Sequence, residues 1–258
     1  MNRFPKFFYL LLAVSLVFVS CSDDEDDPVT PPAFNEAAEL VKTIEGGDGG
    51  YMNTSCPAIV KADAVYTDLL ADKKFYLIDV RAATDYAAGH IEGAVNVPRV
   101  DILTHVQGIN AASYEKIVVI CYSGQSAAFA TAMLRLSGYD NVFSMKYGMT
   151  SWNPIFDKIS TKVSNQYAGD FIKDASPAKN AMGDLPTLTT GKTTGQEVLD
   201  ARIAEVLAAD FGAIATSATA VMADPSSFYI INYWKESHYT GIGHMPGAIQ
   251  YSPKPEYD

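Results

Sequence analysis

The chain has 258 residues, of which 30 are acidic and 19 are basic, so its formal net charge at pH 7 is −11. With a pI near 4.7, the chain repels polyanions, which excludes nucleic acid and anionic lipid headgroups as expected partners. The histidines show no ligand-like spacing with cysteines or carboxylates, so we expect neither a metal nor an organic cofactor. They are His90, His105, His238 and His244.

Residues 1–20 have the pattern of a signal peptide. Arg3 and Lys6 precede an apolar run at residues 7–19 that is too short to favour a membrane-spanning helix. The run ends at Ser20 and Cys21, which resembles a bacterial lipobox and implies that Cys21 is the lipidated mature N-terminus. We therefore expect a cell-envelope lipoprotein that only its lipid holds at the outer membrane, on the periplasmic side or the surface. Ordinary secretion with cleavage nearby is the alternative.

A solvated tether is predicted at residues 21–50, and it includes a short helix at 36–44. Its acidic stretch at 22–27 and its Pro-rich stretch at 28–32 cannot bury a core. The acidic stretch resembles the surface-export signal of Bacteroidetes lipoproteins. A charged spacer that keeps the domain off the membrane would explain the same residues.

Residues 51–160 are predicted to form an α/β domain with a parallel sheet and helices on both faces, because apolar, β-branched runs alternate with helical segments. About a hundred residues suffice for an independent core. The predicted strands lie near Ile59 and at 75–80, 94–97, 117–121 and 141–144, and the predicted helices at 64–71 and 126–137.

Cys121 ends an apolar strand and is followed at once by a short polar loop and a helix start. Backbone N–H groups in such a loop and at the helix N-terminus point toward anions and stabilise a thiolate. The pattern therefore favours a nucleophilic cysteine at the carboxyl end of a strand, where parallel sheets place their ligands. A buried structural cysteine that closes a core strand would give the same pattern.

Motifs spaced over roughly residues 55–155 resemble the rhodanese-like family strongly. They are the strand end Asp79-Val80-Arg81, the pair Asp85-Tyr86, the run Gly89-His90-Ile91-Glu92-Gly93-Ala94-Val95-Asn96-Val97-Pro98, the Cys121 loop, Gly148 and Trp152. The resemblance implies a rhodanese-like fold and a sulfurtransferase activity. Cys121 would take sulfane sulfur from a donor such as thiosulfate as a persulfide and pass it to a thiol or cyanide. The loop residues Tyr122, Ser123, Gly124, Gln125, Ser126 and Ala127 would hold the substrate.

The other motif residues are expected to be structural. Asp79, Arg81 and Asp85 lie where pairing and helix capping explain them without catalysis, and the resemblance gives His90 an architectural role. Within the loop, Ser126 could serve as a helix N-cap instead of binding substrate. Phosphatases that share this fold use an arginine six residues after the cysteine, but this chain has Ala127 there and no Lys or Arg in the loop, which disfavours phosphoryl chemistry.

A second copy of the unit is indicated at a spacing of about 154 residues. The runs at 75–81 and 89–95 reappear at 228–234 and 243–249, and helices at 36–44 and 196–209 correspond. We expect a linker at 161–195 and an incomplete second rhodanese-like repeat at 196–258, in which Asn232 and Trp234 replace the Asp-Arg pair. The counterpart of Cys121 would fall near position 274, so this repeat lacks a nucleophile. Either the chain is a truncated product or its tail packs on the first domain.

Two other functions are compatible with the same sequence. The chain could be a non-catalytic rhodanese-like binding module, since its second repeat has lost the motif residues. It could also be a thiol redox sensor in which Cys56 resolves an oxidised Cys121. A small buried residue is the plainer interpretation of Cys56.

Overall fold

The computed structural model describes residues 34–46 and 50–253. The predicted signal peptide, the lipidation site Cys21 and the acidic and Pro-rich stretches lie outside these residues. The helices are α1 (Glu36–Glu45), α2 (Gly50–Thr54), α3 (Ala62–Leu70), α4 (Ala83–Ala88), α5 (Ile102–Gln107), α6 (Gln125–Leu136), α7 (Gly148–Trp152), α8 (Gly195–Ala208), α9 (Ala218–Ala223) and α10 (Glu236–Gly241). The strands are β1 (Ile59–Val60), β2 (Phe75–Asp79), β3 (Val95–Asn96), β4 (Lys116–Ile120), β5 (Val142–Met145), β6 (Ile231–Asn232) and β7 (Ile249–Gln250).

The main sheet has five parallel strands in the order β1-β5-β4-β2-β3. Its central strand β4 pairs with β2 along its whole length, from Lys116 opposite Phe75 to Ile120 opposite Asp79. Both faces of β4 are buried, as its continuous apolar run predicts. The predicted architecture, a parallel sheet with helices packed against it, is confirmed.

One face of this sheet is covered by α5, α6 and α8, with α1 packed beside them. Ile117 and Val119 of β4 point to this face, and so does Cys121 just beyond the strand. Leu199 and Ile203 of α8 lie in the same apolar cluster. A helix that the sequence pattern assigned to the second repeat therefore completes the core of the first sheet.

Arg99 fixes the end of α8 against this core. Its guanidinium donates hydrogen bonds to the carbonyls of Leu207 at 2.8 Å and Ala209 at 2.6 Å. These are carbonyls at the helix C-terminus, where a cation is stabilising. The same guanidinium lies 5.2 Å from the ring centroid of Phe129 and 5.9 Å from that of Phe211.

The opposite face of the sheet is covered by α3, α4 and α7. Val118 and Ile120 of β4 point to it, where they pack with Val65 of α3 and Met149 of α7. Because α6 lies on one face and α7 on the other, the residues just past the end of β4 lie between the starts of two helices.

The C-terminal region contains a second sheet, in which β6 and β7 pair in parallel, with α9 and α10 beside it. The segment before α8 reaches this region through an antiparallel bridge between Ile172 and His244. Phe228, Tyr229 and Ile231 are 40%, 51% and 57% exposed, so apolar side chains of this region are uncovered.

No single helix among the described residues is long and apolar enough to cross a membrane. One pair of helical segments, Gly195–Ala208 with Phe211–Ala223, is together long and apolar enough to do so, but the pair is bent by 101° at the break between the segments.

Candidate functional site

Cys121 lies immediately after β4, and its side chain is nearly buried, with 4% of the residue exposed. The backbone N–H of Gly124 donates to its Sγ at 3.1 Å. Gly124 has φ +90° and precedes α6, a conformation that glycine adopts without strain. The chain can therefore turn back within three residues and direct an amide at the sulfur. A hydrogen bond of this kind stabilises a thiolate or a persulfide anion.

Gly148 supports the same peptide from the other side. Its backbone has φ +51°, and a Cβ at this position would lie 2.1 Å from the carbonyl oxygen of Cys121. That oxygen accepts a hydrogen bond from the N–H of Met149 at 2.7 Å, and the Tyr122 oxygen accepts one from Thr150 N–H at 3.0 Å. The cysteine peptide is thus held by the first turn of α7.

The predicted loop residues after Tyr122 differ in their exposure. Ser123 and Gly124 are half-buried and Gln125 is exposed, and the Ser123 hydroxyl donates to Gln125 Oε1 at 3.4 Å. Ser126 lies inside α6, which begins at Gln125 after Gly124, so the alternative that Ser126 is the N-cap is wrong. Ala127 is fully buried, in the same apolar cluster as Cys121.

Tyr122 connects the loop to the motif residues upstream. Its hydroxyl donates to Asp85 Oδ1 at 2.7 Å, and burial together with this hydrogen bond raises the pKa of Tyr122. The Arg81 guanidinium lies 4.9 Å from its ring centroid. Asp85 is therefore a partner of the loop itself, in addition to its place in the first turn of α4.

Asp79 and Arg81 form a buried ion pair at 2.7 Å, each side chain being 1% exposed. Burial disfavours the charged guanidinium, but the hydrogen bonds to Asp79 and the negative charge of its carboxylate, together with the contact with Tyr122, raise the pKa of Arg81. The guanidinium also donates to the carbonyl of Gly89 at 2.7 Å. This pair joins the end of β2 to the turn after α4, the structural role that the sequence pattern predicts.

His90 lies in that turn with its ring stacked on Tyr86 at 3.7 Å between centroids. Its Nδ1 donates to the Tyr86 carbonyl at 2.9 Å. The Tyr86 hydroxyl donates to the Ala94 carbonyl at 2.5 Å. These contacts fix a turn, which agrees with an architectural role for His90.

Two residues that the sequence did not single out also surround the loop. The Lys158 amine lies 4.7 Å from the ring centroid of Tyr122, so the loop has a cation beside it although its own sequence contains none. Tyr147 has φ +58°, and its backbone N lies 3.1 Å from where a Cβ on Gly124 would be. No spacing in the sequence indicates either contact, because both depend on how α7 packs.

Two cysteines, Cys56 and Cys121, lie within residues 34–46 and 50–253. These residues contain no group of three or more His, Cys, Asp or Glu side chains that could hold a metal ion. Cys56 and Cys121 are not joined by a disulfide. Cys56 lies beside a cavity of about 230 Å³ that residues of α6 also line.

The family model described as Rhodanese-like domain matches residues 63–154. Among curated proteins, the chain is 30% identical over 91 residues to "Thiosulfate sulfurtransferase GlpE" of Pseudomonas fluorescens, a match that covers 35% of this chain and 82% of that protein. It is 33% identical over 81 residues to the protein of the same name from Shewanella oneidensis, covering 31% and 78%.

Longer relatives are matched only in part. "Adenylyltransferase and sulfurtransferase uba4" of Ogataea parapolymorpha is 32% identical over 89 residues, which cover 34% of this chain and 23% of that protein. Among solved structures, a rhodanese-like domain protein from Staphylococcus aureus is 23% identical with a TM-score of 0.34, covering 37% of this chain and 90% of that one. On the family model and on the relative that is matched over 82% of its length, the chain belongs to the rhodanese-like domain family.

Proposed function

We propose that the chain is a sulfurtransferase that carries sulfane sulfur on Cys121. The observation that carries this proposal is the Gly124 N–H directed at Cys121 Sγ, at 3.1 Å. A charge-assisted hydrogen bond stabilises both the thiolate that attacks and the persulfide anion that results. The names of the relatives from Pseudomonas fluorescens and Shewanella oneidensis support the same activity.

The proposed reaction has two displacement steps. The Cys121 thiolate attacks the outer sulfur of thiosulfate, the S–S bond of thiosulfate breaks, and sulfite leaves with the bonding electron pair. Cyanide or a thiolate then attacks the outer sulfur of the persulfide, and the electron pair of that S–S bond returns to Cys121 Sγ. No external oxidant, reductant or base is needed once the thiolate exists.

Intact mass of the full chain after incubation with thiosulfate tests this proposal. We expect the gain of one sulfur atom, its removal by cyanide, and its absence in Cys121→Ser. The matched control is Cys56→Ser, which keeps the gain because Cys56 takes no part in the proposed steps. A folded wild-type chain that gains no sulfur from thiosulfate or another sulfane donor would overturn the proposal.

We also propose that residues 228–253 repeat the β2–β3 part of the first unit. In the first unit Asp79 lies opposite Asn96, and in the second Asn232 lies opposite Gln250, both in parallel pairs. The Tyr239 hydroxyl donates to the Ala248 carbonyl at 2.6 Å, as the Tyr86 hydroxyl does to Ala94.

The histidines of the two units support this relation as well. His244 Nδ1 donates to the Tyr239 carbonyl at 3.0 Å, and the two rings stack at 3.4 Å. His90 and Tyr86 make the same pair of contacts. The second unit has therefore kept the turn but not the Asp-Arg ion pair.

For the location of the protein we propose a lipid anchor at Cys21 in the cell envelope, supported by the lipobox-like residues 18–21 and the apolar run before them. Labelling with a fatty-acid analogue in cells is expected to mark the wild-type chain but not Cys21→Ser. Equal labelling of both chains would contradict the anchor.

A further inference from the structure

The cavity beside Cys56, which we call the Cys56 cavity, is separate from the Cys121 loop. Its volume is about 230 Å³, and none of residues 121–127 lines it. A cavity of about 150 Å³ holds a benzene ring, so a small ring or a short chain of carbon atoms would fit. The walls come from α2, from the segment that leads into β1 and from one side of α6, and they include Tyr51, Cys56, Ile59, Ala128, Thr131 and Ala132.

Thr131 gives this cavity an unused hydrogen-bonding group. The residue is 3% exposed, and its Oγ1 has no hydrogen-bond partner among the described residues. Ala128 lies three positions earlier in α6 and Ala132 one position later, and both line the same cavity, so the Thr131 side chain lies on this face of the helix. A buried hydroxyl without a partner is unfavourable. A ligand with an oxygen acceptor would supply the missing partner.

Tyr51 holds two walls of the Cys56 cavity together. It belongs to α2, and its hydroxyl donates to the Ala132 carbonyl of α6 at 3.2 Å, across 81 positions of sequence. The spacing between these walls is therefore maintained by the protein itself. A site that is formed before the ligand arrives lowers the entropic cost of binding.

The lining residues define the class of ligand. None of the described residues that line the cavity carries a charge, in a chain with 30 acidic and 19 basic residues. An apolar molecule is therefore favoured over a charged one. The Thr131 hydroxyl can donate to a carbonyl oxygen. The Cys56 thiol, which is partly exposed, is a soft nucleophile that can form a bond with an electrophilic carbon.

We propose that Cys56 is a modification site for small α,β-unsaturated ketones and aldehydes, which bind in the Cys56 cavity before they react. The thiol loses its proton to water, and the thiolate sulfur forms a bond with the β-carbon. The π electron pair of the C=C bond shifts to give an enolate, whose oxygen accepts a hydrogen bond from the Thr131 hydroxyl. Water then protonates the α-carbon. The net result is addition of S–H across C=C, which needs no oxidant or reductant.

Cyclohex-2-en-1-one serves as the probe. The full chain is incubated with increasing concentrations of it, and intact mass with peptide mapping gives the rate of addition at each cysteine. Because binding precedes bond formation, we expect the rate at Cys56 to saturate as the probe concentration rises. The Cys56→Ser chain should lose this saturable adduct.

Thr131→Val tests the hydroxyl. Valine has nearly the same shape, and the lost hydroxyl has no partner among the described residues, so we expect the variant to fold as wild type does. The saturated rate should fall about tenfold, the effect of one hydrogen bond to a developing negative charge. Iodoacetamide reacts by displacement and forms no enolate. It should alkylate Cys56 in this variant within about twofold of the wild-type rate, because thiolate fraction and exposure set that rate.

Thr104→Val is the matched control. Thr104 also lies in a helix, α5, but it is exposed and does not line the cavity, so the rate at Cys56 should not change. A rate at Cys56 that rises in proportion to probe concentration, or that is equal in wild type and Thr131→Val, would show that Cys56 is only an accessible thiol. Either result, or the absence of an adduct at Cys56, would overturn the proposal and leave the proposed activity of Cys121 as it stands.

Discussion

Gly148 packs against the peptide that carries the candidate nucleophile, and the contact leaves no room for a methyl group. A Cβ at this position would lie 2.1 Å from the Cys121 oxygen and 2.8 Å from its carbon. Because both are backbone atoms, no side-chain rotation could relieve the clash. The positive φ of +51° adds a second constraint.

Gly148→Ala is therefore expected to lower the free energy of unfolding by about 2–4 kcal/mol, since overpacking adds to the strain of a positive φ. It should also slow sulfur loading, because the Cys121 peptide must move away from the Gly124 amide. Urea denaturation and intact mass after thiosulfate measure the two effects.

Gly93→Ala is the control for backbone strain alone. Gly93 has φ +79°, and a Cβ there would meet no atom within 4 Å. We expect Gly93→Ala to lower the free energy of unfolding by about 1 kcal/mol. Equal losses in the two variants would show that the contact with Cys121 contributes nothing.

Residues that are close in sequence were the predictable part of the site. Cys121 at the end of a strand and the paired Asp79 and Arg81 follow from local pattern, because the chemistry lies within a few positions. The contacts of Lys158 and Tyr147 with the loop could not be predicted, since they arise from the packing of α7 against the end of β4. Local periodicity indicates which face of an element is buried, but not which element covers it.

At the scale of elements, α8 shows the same limit. Its length and bounds follow from the sequence, and the predicted helix at 196–209 differs from Gly195–Ala208 by one residue at each end. The element against which α8 packs could not be predicted from the sequence. Similarity to the helix at 36–44 placed α8 in the second repeat instead. In the structure α1 and α8 meet, and both contribute to the core of the first sheet.

The α1–α8 contact is close at Gly195. A Cβ on this residue would lie 2.0 Å from Thr43 Oγ1 and 2.8 Å from the Glu39 carbonyl oxygen. We expect Gly195→Ala to separate the helices and to cost about 1–3 kcal/mol in the free energy of unfolding, the usual range for overpacking. Thermal and urea denaturation measure it.

Gly169→Ala controls for the change of residue type, because a Cβ there would meet no atom within 4 Å. It should change stability by less than about 0.5 kcal/mol, as most surface substitutions do. A Gly195→Ala chain as stable as this control would contradict the close contact between α1 and α8.

At the scale of the whole molecule, Glu36 links the start of the described chain to Thr190 and Gly191, which lie 154 and 155 positions later in the sequence. Its carboxylate accepts hydrogen bonds from Thr190 N at 2.7 Å and from Gly191 N at 2.9 Å. The Thr190 hydrogen bond is the main cause that lowers the pKa of Glu36 below its usual value of 4.5.

A lowered carboxyl pKa stabilises the folded chain above the unfolded-state pKa, and this stabilisation is lost as pH falls through the folded-state value. We therefore expect wild type to be more stable than Glu36→Gln at pH 7, and the difference to shrink below pH 4.5. Denaturation of both chains from pH 7 to pH 3 measures this. A difference that is the same at every pH would show that the charge of Glu36 is not involved.

The helix α8 also has a consequence for how the protein is made. Its residues emerge from the ribosome long after the sheet that they cover, so the nascent chain carries an open apolar face until residue 208 has been synthesised. Contacts across such a sequence separation raise the contact order and slow folding relative to a domain closed by local contacts. A chain cut at the limits of the family match, residues 63–154, would retain the Cys121 loop but expose this face and tend to aggregate.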